Sequence, residues 1–346
     1  MIASLATRVT RLGVVLEPNG DPGEAEGILN PGAVRTRNGT LLLYPRMVSA
    51  GNCSSVGIVE VGGTPDAPVY RRIGTALLAE APYERRDARD GEGCEDPRVT
   101  FIAVLDLDVM SYTAFGAAGP RIALATSPDG YAWERLGLMD FSAAGLPSVN
   151  DKDAAFFPEP VRSPAGVESL ASYHRPSAKD VAGACEEIRI AYVPLDAARA
   201  DRKNLLVVTE SVVVPSGADD WSAIKSGAGT PPVRITEGWL SVFHGVDRIV
   251  DADGTPRGMR YSAGILVHDA DEPHRIRYRS SRPVFAPYVL DERSGIVNDV
   301  VFPTGIDAQP SGGPRSYDIY YGMADARVGR IRLDLDDAAL EGRSSA

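Results

Sequence analysis

Ala33-Val34-Arg35-Thr36-Arg37-Asn38-Gly39-Thr40-Leu41-Leu42-Leu43-Tyr44 is a pair of extended runs around Asn-Gly. Asn-Gly tolerates the two positive φ angles of a tight hairpin turn, so the stretch reads as a β-hairpin. The same grammar recurs on both sides. Val56 to Val61 and Val69 to Ile73 flank a Gly/Pro/Asp turn, and Arg98 to Val104, Tyr112 to Phe115 and Arg121 to Thr126 follow, the last ending in Ser127-Pro128-Asp129-Gly130. Further runs are Ser169 to Tyr173, Ile188 to Val193, Gly238 to Val246, Arg260 to Val267, Arg275 to Tyr278, Asp299 to Pro303, Tyr317 to Gly322 and Val328 to Leu333. With 35 Gly and 26 Pro among 346 residues, long helices have little room and the chain reads as all-β. Roughly five rounds of about 60–70 residues fit a five-bladed β-propeller better than a sandwich of about 100. Turn spacing carries this period, since no blade signature recurs. Loops at 83–93, 177–187 and 214–231 are too short to mark boundaries, so residues 1–346 are read as one domain.

The composition narrows the function. A hydrophobic content of 44% builds a substantial core. A net charge of −11 argues against a nucleic-acid or anionic-membrane partner and favours a small substrate. Cys53, Cys94 and Cys185 are few, scattered and without a CxxC pair, which predicts reduced thiols in the cytoplasm and no clustered zinc site. The opening residues lack a signal-peptide core, and no apolar run is long enough to span a membrane. A homo-oligomer is left open.

Polar clusters stand at the ends of the apolar runs, where the loops of a propeller would converge. Gly93-Cys94-Glu95-Asp96-Pro97-Arg98-Val99-Thr100 is the most informative. Pro97 is expected to press Asp96 into extended backbone, and Arg98 to hold one carboxylate while the other is free for chemistry. Glu95 should then face away from Asp96. Asn30-Pro31-Gly32, Tyr44-Pro45-Arg46, Asp151-Lys152-Asp153, His174-Arg175-Pro176, Trp239 to Val246 and Tyr320 to Asp325 are the others. Singly these have plain structural readings: an inner-face His244, a solvated Lys152, an edge-strand Arg175 and rim tyrosines. Together they divide into a carboxyl acid and a cationic trio, Lys152, Arg175 and His244, suited to an oxyanion such as phosphate. The sequence has no GxxxxGK[ST] loop, no HExxH and no GxSxG, so nucleotide, metal-assisted and serine-hydrolase chemistry find no support.

These motifs resemble those of glycoside hydrolase family 130, the β-mannoside phosphorylases and their hydrolytic relatives. The resemblance rests on Asn30-Pro31, Glu95-Asp96-Pro97-Arg98, Lys152 to Pro158, His174-Arg175-Pro176, Gly238-Trp239-Leu240, Phe243-His244-Gly245-Val246, Val300 to Gly305 and Tyr320 to Asp325. It implies a five-bladed β-propeller and an inverting phosphorylase that cleaves β-mannosides with inorganic phosphate to give α-mannose 1-phosphate. Asp96 is then the general acid and Lys152, Arg175 and His244 bind phosphate. Asn30, Arg46, Glu95, Arg98, Asp153, Tyr321 and Asp325 contact sugar, and neither cofactor nor metal is required. Pro45, Asn52-Cys53-Ser54 and Asp299 depart from the usual pattern, so linkage and acceptor are not carried over. An inverting hydrolase, in which a Glu activates water, is the alternative on the same fold. A non-catalytic carbohydrate-binding propeller, with Tyr44, Trp239, Tyr320 and Tyr321 as stacking platforms, is the alternative from another class.

Overall fold

The computed structural model describes residue 2 and residues 5–86, 91–148, 150–177, 186–215, 220–251, 253–308 and 315–335. Cys185 and parts of the three loops named above lie outside the described residues. The fold is all-β, with Leu195–Ala200 and Leu290–Arg293 as the α-helices among the described residues. No helix among them is long and apolar enough to cross a membrane.

The strands form four sheets, the largest of eight strands. That sheet is two antiparallel units, Gly27–Arg35 to Ala67–Leu77 and Glu92–Ile102 to Glu134–Leu138, joined where Cys53 and Ser54 pair in parallel with Glu92 and Gly93. The third unit runs from Asp151–Phe156 to Glu210–Val213, and the fourth from Lys225–Ala228 to Ile276–Arg279. Val301–Ala308, Ser316–Met323 and Arg327–Leu335 make the fifth, which Thr7–Leu16 completes by pairing antiparallel with Arg327–Leu335. The Asn-Gly hairpin forms, with Arg35 opposite Leu41, but Gly39 alone of the pair takes a positive φ, 87°.

Apolar side chains decide how the units stack. Leu42, Tyr44 and Ile58 of the first unit pack on Val99, Met110 and Tyr112 of the second. Ile102, Val109 and Leu124 of the second meet Phe156, Leu170 and Val193 of the third. Tyr173, Ile190 and Tyr192 of the third meet Trp239, Phe243 and Leu266 of the fourth, whose Leu240, Val242 and Ile265 meet Val301, Ile319 and Ile331 of the fifth. Tyr320 and Val328 of the fifth pack in turn on Ile28, Ala33 and Leu43 of the first. Sheet strands buried on both faces lose the period-two alternation, whereas the outer strand Ala67–Leu77 keeps it.

The leading strands of the first three units share one irregularity. Their pairing register slips between Leu29 and Gly32, between Glu95 and Arg98, and between Lys152 and Ala155. The extra residues begin with Asn30, Asp96 and Asp153, whose φ angles are 43°, 48° and 61°. A bulge with its first residue in the left-handed region redirects that side chain, and Asn and Asp are the non-glycine residues that tolerate this conformation best. Pro31 and Pro97 are accommodated because a bulge needs no ladder hydrogen bond from them.

Neighbouring units also approach closely at their backbones. Thr304 Oγ1 donates to the Pro31 carbonyl at 3.0 Å and Ser111 Oγ to that of Ala154 at 2.5 Å. A Cβ at Gly229 would stand 2.7 Å from the Pro303 carbonyl oxygen and closer still to that of Val242. Gly229→Ala must therefore push the fourth unit off the fifth, at a cost of about 1–3 kcal/mol. Urea unfolding should show a lower midpoint with an unchanged slope, and an unchanged midpoint would contradict this packing.

Candidate active site

The three bulges open onto one cavity of about 840 Å³. Asn30, Asp96 and Asp153 line it from the bulges, and Arg46, Lys152, Arg175, His244 and Asp325 line it from adjoining strands. The sequence clusters thus converge on a common space, in which Asp96 and Asp325 mark an acid wall and Asp153, Arg175 and His244 an anion wall.

On the acid wall, Asp96 Oδ1 accepts from Asn30 Nδ2 at 2.8 Å and from Arg46 Nη1 at 3.3 Å. Arg46 Nη2 also donates to Glu95 Oε1 at 3.1 Å, and Lys152 Nζ donates to Glu95 Oε2 at 3.2 Å. Buried Glu95 therefore bridges two cations of the cavity. Burial alone would raise the Asp96 pKa, but the Arg46 and Arg98 guanidiniums, the Asn30 amide and Lys152 outweigh it and hold the carboxyl below its ordinary value. Asp325 goes the other way: burial and the charges of Asp96 and Glu95 prevail over Arg46 and Lys152 and push it up to about 6. Two carboxyl groups facing one cavity with oppositely shifted pKa values are an arrangement suited to acid–base work.

On the anion wall, Asp153 is the organiser. Its Oδ2 accepts from Arg175 Nε at 2.6 Å and its Oδ1 from Arg98 Nη2 at 3.3 Å, while His244 Nε2 lies 3.7 Å from Oδ2. Arg175 also pairs through Nη1 with Glu186. His244 lies against Phe302, with ring centroids 4.4 Å apart. Burial first, offset in part by Asp153 but reinforced by Arg175, Arg98 and Lys225, pushes His244 down to about 3. In this site the imidazole is neutral at neutral pH, which corrects its expected place in a cationic trio.

Other expectations also change. Asp96 is left-handed rather than extended, because the bulge and not Pro97 sets its backbone. The bulge also breaks the alternation that would have turned Glu95 away, so both carboxylates share Arg46. Arg98 holds Asp153 and the Asp96 carbonyl instead of a carboxylate of its own motif; it is 1% exposed and lies behind the cavity wall, out of reach of a sugar. Glu95 likewise stands behind the lining. Tyr321 packs on Phe285, donates to Glu292 Oε1 at 2.8 Å and points into the core, so a sugar contact from it does not fit. Lys225, Tyr261 and Glu186 are among the lining residues that sequence reading passed over. Lys225 and Glu186 sit in stretches that read as charged or Gly-rich loops, and nothing local marks them. Among the described residues, no group of three or more His, Cys, Asp or Glu is placed to hold a metal ion.

Asp325 gives a pH signature. Its folded pKa of about 6 exceeds the unfolded value of ~3.9, so its contribution to stability is complete below about pH 4 and is lost as pH rises through 6. Asp325→Asn should therefore gain stability relative to the parent between pH 4 and 7. Cavity water screens the effect, which leaves about 1–2 kcal/mol. Chemical denaturation at both pH values measures it, and an equal difference at the two would refute the assignment.

Comparison with known proteins follows this geometry. A family model described as beta-1,4-mannooligosaccharide phosphorylase matches residues 6–338. The 1,2-beta-oligomannan phosphorylase of Thermoanaerobacter sp. (strain X514) is 27% identical over 248 residues, covering 71% of this chain and 69% of the relative. The beta-1,4-mannooligosaccharide phosphorylase of Ruminococcus albus is 34% identical over 119 residues, 34% of this chain and 32% of the relative. The structure of the beta-1,2-mannobiose phosphorylase of Listeria innocua in complex with beta-1,2-mannobiose superposes with a TM-score of 0.71 at 21% identity, over 94% of this chain and 96% of that one. With a family match over nearly all of its length, the chain belongs to glycoside hydrolase family 130, the family of the mannoside phosphorylases.

Proposed function

We propose that the protein is an inverting phosphorylase of β-mannosides, built as a five-bladed β-propeller in one domain. The observation that carries the reading is that Asp96, on the acid wall, shares a cavity with Lys152, Arg175 and His244. The propeller is supported by the five apolar cores, each between successive units, the last returning to the first. Relatives named as phosphorylases of both 1,2- and 1,4-linked mannosides support the substrate class.

The chemistry requires one protein acid and one bound nucleophile. Phosphate, held by Lys152 and Arg175 with the neutral His244 as a hydrogen-bonding partner, attacks the anomeric carbon from the face opposite the leaving oxygen. The glycosidic C–O bond breaks, a new C–O bond to phosphate forms, and Asp96 supplies the leaving oxygen's proton through a sugar hydroxyl. The product is α-mannose 1-phosphate. Phosphate as co-substrate makes a second, base carboxylate unnecessary, and no cofactor is needed. Asp96 is ionised in the empty site, and arrival of the phosphate charge beside Lys152 and Arg175 offsets the cations that hold its proton off. In this reading Asn30, Arg46 and Asp325 contact the sugar, supported by their position on the cavity lining, whereas Asp153 orients Arg175.

One observation favours the hydrolytic alternative: Glu186 lines the same cavity and pairs with Arg175, where it could serve a water nucleophile. The non-catalytic reading loses its proposed platforms, since Tyr44, Trp239, Tyr320 and Tyr321 are all buried. The test uses β-1,2- and β-1,4-manno-oligosaccharides with and without phosphate. Mannose 1-phosphate should form only with phosphate, and equal release of free mannose without it would establish hydrolysis instead. Asp96→Asn should keep the fold and lose cleavage by at least about 100-fold; retained turnover would remove Asp96 from the acid role.

A further inference from the structure

The fifth unit meets the first along a seam of two characters. Tyr320 and Val328 pack on Ile28, Ala33 and Leu43, but beyond that apolar layer the seam turns polar and opens into a second cavity of about 450 Å³. Arg35, Asp307 and Arg330 line it, each five residues beyond a residue of the first cavity, respectively Asn30, Phe302 and Asp325. An extended chain rises about 3.3 Å per residue, so the two cavities are separate sites roughly 16 Å apart along the strands.

The polar layer is a lattice of buried ion pairs. Asp307 and Asp318 stand directly opposite each other on neighbouring strands, an arrangement that like charges tolerate only with cations between them. Arg35 holds Asp307 through Nε at 2.7 Å and Nη2 at 2.8 Å, and Arg332 Nε donates to Asp318 Oδ1 at 3.2 Å. Glu60, also on the lining, pairs with Arg71. Arg330, 5% exposed, donates to the Tyr70 hydroxyl at 3.4 Å and the Pro65 carbonyl at 3.0 Å. Its Nε is buried without a hydrogen bond, with Asp318 Oδ2 3.7 Å away. Asp307 has acceptor capacity left as well, since a carboxylate accepts at about four positions and Arg35 takes two. Burial, with Asp318 adding to it, raises the Asp307 pKa despite Arg35, so a further donor to its oxygens would be favourable.

We propose that this second cavity is a carbohydrate site, which binds a neutral, polyhydroxylated sugar away from the cavity that holds Asp96. The chemistry of the lattice selects that class. An anion would meet the carboxylates of Glu60, Asp307 and Asp318, and a cation the guanidiniums of Arg35, Arg71, Arg330 and Arg332. A sugar hydroxyl both donates and accepts, so it can engage Asp307 and the Arg330 Nε without disturbing either charge. The volume falls within the range of small-molecule sites, about 300–1,000 Å³. The choice of mannosides as the sugar rests on the phosphorylase reading, whereas the site rests on the seam.

The experiment is hydrogen-exchange mass spectrometry of the full-length protein with and without β-1,2- and β-1,4-mannotriose, paired with calorimetric titration of the parent, Thr40→Trp and Arg330→Lys. Thermal unfolding verifies that each variant is folded. Thr40 lines the cavity and bonds to Thr36 and Asn38 through its backbone, so tryptophan there adds bulk without removing a charge. Exchange should slow over residues 36–41 and 60–68 as well as around the first cavity. Either variant should weaken the second binding event at least about 10-fold, and Thr40→Trp should leave turnover of a disaccharide within about twofold of the parent. Protection confined to the first cavity, or a titration that neither variant alters, would overturn the proposal. If the seam is protected but no mannose 1-phosphate forms with phosphate, the phosphorylase reading fails and the second site stands.

Discussion

One buried guanidinium ties four of the five units together. Arg98, from the second unit, donates through Nη1 to the carbonyl of Asp96 at 2.8 Å and through Nη2 to Asp153 of the third unit at 3.3 Å. It reaches the carbonyls of Ala228 and Gly229 in the fourth unit, each at 3.2 Å, and its Cζ lies 5.5 Å from the ring centroid of Phe302 in the fifth. Lysine could not replace it, because only a planar fork with five donors serves so many acceptors at once. A buried charge is costly unless paired, and removing one partner of such a pair typically costs about 3–5 kcal/mol. The bulges at Asp96 and Asp153, and through them the two walls of the cavity, depend on this one side chain remaining ionised and fully engaged.

The electrostatics of the cavity follow from the same economy of pairing. Asp153 is stabilised in its charged form by the Arg175 and Arg98 guanidiniums despite its burial, and Arg175 is raised by Asp153 and Glu186 against its own desolvation. The site therefore keeps its charges in fixed, mutually satisfied arrays, and an anion entering it meets oriented donors instead of a diffuse positive field. This is preorganisation in the usual sense, with the reorientation cost met during folding. It also reconciles an acidic chain, of net charge −11, with the anionic co-substrate proposed above.

Much of this architecture was legible in the sequence, and the parts that were not have identifiable causes. Hairpins such as Ala33 to Tyr44 announce themselves because Asn-Gly turn chemistry is local. The strand Thr7–Leu16 does not, because its partner Arg327–Leu335 lies at the far end of the sequence. Lys225–Ala228 escapes notice because Ser226, Gly227 and Ala228 are small, chosen to let His244 and Asp153 approach and not for strand propensity. The cavity-lining residues Asp96, Asn30, Lys152 and Arg175 were picked out from residue type and motif. Their wiring was not, since a bulge with one extra residue at Asn30-Pro31, Asp96-Pro97 and Asp153-Ala154 overrides the alternation from which side-chain direction would be read. The third member carries Ala where the others carry Pro, which hides the repetition from a motif search. Tyr321 was misplaced because nothing local shows that the cores on the two faces of its sheet claim both members of the Tyr320-Tyr321 pair.

The pairing of Thr7–Leu16 with Arg327–Leu335 has a consequence for how the protein is made. Thr7–Leu16 is the outer strand of the sheet completed last, so it has no partner until translation has passed the distant strand Arg327–Leu335. At about 5–20 residues per second, that interval is on the order of tens of seconds. Throughout it, a ten-residue extended segment with Leu12, Val14, Val15 and Leu16 is open to pairing with other nascent chains. Arg8 and Arg11 on the same strand are the charges that make such pairing unfavourable, and in the finished protein they engage Asp334 and Glu292. Arginines that serve the folded state as ion-pair partners thus also guard the strand while its partner is still being translated.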